Sequence, residues 1–159
     1  MSKFPENSEM RMSKEFSERI KELIEENDCV SNKDFAELVG VSFPVITKAV
    51  NFGIVQTTKS LMMIADKLEL SLLYLLGETN DNDFIGSSMP STFADRLQEL
   101  ANERNEKFGA ISNKMPFIRT YFYNWIKLGT LPSLEYAIEI AKYFNVSLDY
   151  LFGRSDYRK

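Results

Sequence analysis

GIVQTTKSLMMIADKLELSLLYLLG, residues 53–77, and GTLPSLEYAIEIAKYFNVSLDYLFG, residues 129–153, are two versions of one segment. A shift of 76 residues aligns Gly53 with Gly129, Ile64–Ala65 with Ile140–Ala141, and Ser71–Leu72 with Ser147–Leu148. The same shift aligns Tyr74–Leu75 with Tyr150–Leu151 and Gly77 with Gly153. Eight identities in 25 positions stand against roughly one or two expected from composition. Upstream the shift becomes 77, pairing Phe16, Arg19 and Glu22 with Phe93, Arg96 and Glu99. The second copy therefore lacks one residue between its first two helices. Ser-Asn-Lys also recurs, at 31–33 and 112–114, but that offset of 81 breaks the glycine register and is set aside.

Each copy reads as five short helices. Phe16, Ile20, Leu23 and Ile24 recur at helical spacing behind Ser13 as N-cap. Ser31 with Asp34 opens helix two, and Gly40 closes it where a left-handed residue is wanted. Ser42 caps helix three, with Pro44 tolerated in its first turn. Thr57 opens helix four, which carries Leu61, Ile64, Ala65 and Leu68, and Ser71 opens helix five. In the second copy the starts are Thr92 with Asp95, Ser133 behind Pro132, and Ser147. Met62 and Met63 are expected as core fillers. The predicted organisation is a tail at 1–12, a domain at 13–77, a turn-rich linker at 78–91, a domain at 92–154 and a tail at 155–159. The fold class is all-α.

Composition removes several chemistries. The 159 residues include no His and one Cys, which excludes the commonest general base, a transition-metal cluster and an internal disulfide. With no Gly-rich phosphate loop and no nucleophile–base arrangement, the chain is not expected to be an enzyme or to use a cofactor. The opening residues MSKFPENSEMRMSKEF hold no apolar run of the secretory kind. The longest apolar stretch, 61–76, is broken by Asp66, Lys67 and Glu69, so no membrane partner and a cytoplasmic location are expected. Net charge is −4, unevenly shared. Residues 1–82 hold nine Lys/Arg against fourteen Asp/Glu, while residues 83–159 hold ten against nine.

The run Trp125-x3-Gly129-x2-Pro132-Ser133, continuing through Ile140-Ala141 and Phe144-Asn145-Val146-Ser147-Leu148-Asp149-Tyr150-Leu151 to Gly153, resembles the helix three-to-five signature of Cro/CI-type (XRE-like) regulators. The first copy adds Phe35-Ala36-Glu37-Leu38-Val39-Gly40-Val41-Ser42-x3-Ile46, which is similar to that family's helix-turn-helix core. The resemblance spans about 140 of the 159 residues. It implies two tandem five-helix lambda-repressor-like domains. Each would plug helix three into its core through Ile46 or Phe122 and turn the opposite face toward a DNA major groove.

Carried over by position, the family's DNA-contacting residues fall in the second copy on Arg119, Thr120 and Asn124, with Tyr121 and Tyr123 beside them. Lys127, Lys114 and Lys107 would add phosphate contacts. Arg suits guanine O6/N7 and Asn suits adenine N6/N7. In the first copy the same positions hold Phe43, Pro44 and Lys48. The family's helix-two glutamine, which holds a phosphate, is replaced by Asn32 in the first copy and Phe108 in the second. The second copy also puts Pro116 at the turn glycine and Ile118 at the helix-three cap.

The resemblance implies a sequence-specific double-stranded DNA-binding regulator, in the main a repressor. Two arrangements stay open: both copies reading half-sites, or the second reading DNA while the first forms a homodimer through Phe43. The alternative is a protein-interaction module (antirepressor, antitoxin or immunity-type partner) with weak or no DNA binding, which the acidic net charge, Phe43 and Pro44 favour.

Overall fold

Serine and threonine hydroxyls open seven of the ten helices found among the described residues, which are 11–55 and 57–159 of a computed structural model. In each case the side chain accepts the backbone N–H three residues on: Ser13, Ser31, Thr57, Ser71, Thr92, Ser133 and Ser147. The described residues fall into two compact units, 11–84 and 85–159. The fold is all-α apart from one two-residue strand pair.

The first unit runs α1 (Lys14–Glu26), α2 (Asn32–Val39), α3 (Phe43–Phe52), α4 (Thr58–Leu68) and α5 (Leu72–Leu75). Phe16, Ile20, Phe35, Ile46, Ala49, Ile64 and Leu75 form its core. Gly40 and Gly53 close α2 and α3 in the left-handed conformation. Ser42 occupies the α3 cap position without a side-chain cap bond. The amide three residues on, Val45 N–H, donates to the Ser42 carbonyl at 3.1 Å.

Two segments that the sequence reading placed outside the domain at 13–77 are held to this unit. β1 (Arg11–Met12), placed by sequence in a tail, pairs antiparallel with β2 (Ile54–Val55). The rest of that expected tail, 1–10, lies outside the described residues. Asn82, expected in a linker, accepts the Ser71 amide through Oδ1 at 2.9 Å. Buried Arg19 lies 3.8 Å from the Tyr74 ring centroid and donates to the Tyr74 and Thr79 carbonyls at 2.8 Å each. It ties α1 to the chain leaving α5.

The second unit runs α6 (Phe93–Glu103), α7 (Phe108–Ser112), α8 (Arg119–Leu128), α9 (Leu134–Phe144) and α10 (Leu148–Leu151). Its core is aromatic. Trp125, fully buried, meets Phe93, Phe117 and Phe122 with centroids 5.6, 5.0 and 5.5 Å away. Arg96 repeats the arginine staple over Tyr150 at 4.1 Å and reaches Asp156 at 3.2 Å. The repeated Arg and Tyr identities are therefore structural. Residues 155–159, expected as a tail, fold back. Ser155 is buried, Ser147 Oγ donates to the Tyr157 carbonyl, and Arg158 bonds Glu103, holding that carboxyl below its ordinary pKa.

α7 is three residues shorter than α2. Gly109 is a poor helix former, and Ser112 Oγ donates back to the Gly109 carbonyl at 2.9 Å, competing with the helix ladder. Pro116 disfavours helical backbone at Met115. Met63, expected in the core, is exposed beside Gly40, while Met62 is half-buried.

Gly53 carries a sharp prediction. Its φ is +65°, and a Cβ there would sit 2.1 Å from the Ser13 carbonyl oxygen. Left-handed strain alone costs about 1–2 kcal/mol, and the backbone clash adds to it. Gly53→Ala is therefore expected to destabilise by more than about 2 kcal/mol, read as a fall in the urea midpoint. A midpoint within error of the parent would refute the close approach.

Candidate nucleic-acid interface

α8 divides its side chains by helical period. Phe122 and Trp125 enter the core with no exposure. Arg119, Thr120, Tyr123 and Lys127 stand exposed on the opposite side. Arg119, Tyr123 and Lys127 are spaced i, i+4, i+8 and so make one stripe of about 12 Å. The Arg119 guanidinium lies 5.8 Å and the Lys127 ammonium 5.9 Å from the Tyr123 ring centroid. One aromatic ring thus orders two cations along the stripe. α8 contains no carboxylate to offset them.

The other assigned residues of this helix lie off the stripe. Asn124 is half-buried on its flank. Tyr121, expected beside the contact residues, is turned toward the core. It is half-buried and stacks on Trp125 at 6.1 Å, with Tyr136 at 5.7 Å. Its position in the helical period, one residue before Phe122, takes it away from Tyr123.

Beside the stripe lies a half-open groove of about 510 Å³, lined among others by Gln98, Asn102, Lys107, Phe108, Arg119 and Tyr123. Gly109 lets the Arg119 side chain lie close, since a Cβ there would be 3.3 Å from Arg119 Cδ. Phe108, at the family's glutamine position, stacks on Phe122 at 4.9 Å and 7°. It shapes the wall and offers no hydrogen bond. Glu106 also borders the groove, accepting from Tyr143 and pairing with Arg104 at 3.9 Å. Residue types alone do not signal this groove, whose lining comes from α6, α7 and α8 together.

α3 of the first unit has the same division with different chemistry. Ile46 and Ala49 are buried, while Phe43, Pro44, Lys48 and Asn51 are exposed. The position matching Tyr123 is Thr47, which is half-buried, and that matching Lys127 is Asn51. Lys48 is the single charge on the helix. Asn32, the first residue of α2, is half-buried.

No family model, curated protein or solved structure matches this chain. Among the described residues, no group of three or more His, Cys, Asp or Glu is placed to hold a metal, and no helix is long and apolar enough to cross a membrane. Burial, with Asp34 and Asp28 nearby, pushes the Cys29 thiol above its usual pKa, which disfavours a reactive thiolate.

Proposed function

We propose that this protein is a sequence-specific double-stranded DNA-binding regulator of the Cro/CI kind, acting as a repressor. On this reading its two units are lambda-repressor-like helix-turn-helix domains. The single observation that carries the reading is the exposed Arg119–Tyr123–Lys127 stripe on a helix anchored by fully buried Phe122 and Trp125. A rigid helix with a cationic outer face suits a major groove, where Arg119 reads guanine and Thr120 and Asn124 read neighbouring edges. Lys127, Lys107 and Lys114 take phosphates.

The second unit is the reader in this proposal. Its described residues, 85–159, hold ten Lys/Arg against eight Asp/Glu, whereas 11–84 hold eight against thirteen. The first unit's α3 offers Phe43 and Pro44 where hydrogen-bonding side chains are wanted. Its role is protein contact, with homodimerisation the form that fits a repressor. The same exposed Phe43 favours the second reading, in which the chain is an interaction module without DNA affinity.

Selection from a pool of random duplexes with the full chain separates the two. The DNA-binding reading expects enrichment of a motif containing a guanine contacted by Arg119. Recovery of no motif over repeated rounds favours the interaction module.

A further inference from the structure

The two units treat the chain that leaves helix three differently. In the first unit that segment, Gly53–Val55, is covered. Ser13 N donates to the Gly53 carbonyl at 2.8 Å, and Arg11 and Met12 pair with Val55 and Ile54. Val55 is buried as a result, at 3% exposure.

The matching segment of the second unit is 129–131. Gly129 has nearly the backbone of Gly53, with φ +69° against +65°. Yet no atom of the described residues lies within 4 Å of a Cβ built on Gly129, whereas one on Gly53 meets Ser13 at 2.1 Å. Among the described residues no backbone hydrogen bond reaches Thr130 or Leu131. Leu128 is 71% exposed and Leu131 half-buried.

The sequence explains the difference. With the 77-residue shift, Pro90 stands where Ser13 stands, and proline has no N–H to give a carbonyl. The entry segment of the second unit runs elsewhere: Ser87 and Ser91 donate to the Arg154 and Gly153 carbonyls at 2.9 Å each. An edge with unpaired backbone groups and flanking apolar side chains is a template for one added strand.

We propose that the 129–131 edge is the docking site for an extended segment drawn from this chain's own residues 1–10, which lie outside the described residues. The first unit supplies the precedent, since its edge is filled by the chain immediately upstream of α1. The ten residues MSKFPENSEM end at β1 and, extended, reach about 33 Å. Phe4 supplies an apolar anchor for Leu128 and Leu131. Glu6 and Glu9 complement Lys127, one residue from the edge.

The first unit's register also says which amide is engaged. Ser13–Gly53 is a hydrogen-bonded pair, so Met12–Ile54 is not and Arg11–Val55 is. Leu131, the counterpart of Val55, is therefore tied by its N–H, while the Thr130 amide faces away. Residue-resolved hydrogen exchange tests this with the full chain, a chain lacking residues 1–10, and full-length Gly129→Ala, whose Cβ would displace the strand. The Leu131 amide is expected to exchange about tenfold or more slowly in the full chain than in either variant, with Thr130 unchanged throughout. Equal Leu131 rates in the full and shortened chains would overturn the proposal. So would Leu131 protection that disappears on dilution together with a dimer, because the occupant would then be a second copy.

Discussion

Arg119→Ala is expected to weaken binding of the preferred duplex by about 1–3 kcal/mol and to relax the choice of base at one position. Two roles separate in that result. As a phosphate contact alone, Arg119 would lower affinity evenly across sequences. As a groove contact, its loss removes discrimination at the base pair it touches. Its exposure at the first residue of α8 and its place above the Tyr123 ring favour the second outcome. Arg119→Lys distinguishes them further, because lysine keeps the charge and loses the bidentate fork. Fluorescence anisotropy against the preferred duplex and single-base variants reads both effects. Unchanged affinity and unchanged preference would remove the second unit as reader.

Trp125→Ala is expected to have the largest effect on stability, a loss of about 3–5 kcal/mol. Trp125 is fully buried and in ring contact with Phe93, Phe117 and Phe122, so truncation leaves a cavity bounded by rigid rings from three segments. It also removes the inner support of the exposed stripe. DNA affinity should therefore fall with stability in this variant, whereas Arg119→Ala should leave stability nearly unchanged. Denaturant unfolding of both variants checks the contrast. A Trp125→Ala protein as stable as the parent would mean that α8 is not anchored as described.

What could be read from the sequence was local or periodic. The capping hydroxyls of seven helices and the left-handed Gly40 follow from residue type and spacing within one turn, and the inward Ile46 and Phe122 are implied by the family resemblance. Carry-over from that resemblance picks out Arg119, Thr120, Tyr123 and Lys127, and all four are exposed. Tyr121, expected beside the contact residues, is half-buried in ring contact with Trp125 and Tyr136, partners that a run of three aromatics does not reveal. The β1–β2 pair, the Asn82 clasp and the docked residues 155–159 depend on backbone groups far apart in sequence, for which residue type gives little signal. The groove beside Arg119 belongs to the same class: its lining is drawn from three helices, α6, α7 and α8.

Duplex affinity measured across a salt series tests the central claim most directly. If Lys127, Lys107 and Lys114 each neutralise one phosphate, log K should fall against log salt with a slope of about −2.7. Removing one of these charges by Lys127→Ala should make the slope shallower by about 1. Affinity that does not change with salt, or no duplex binding at low salt, would contradict the account.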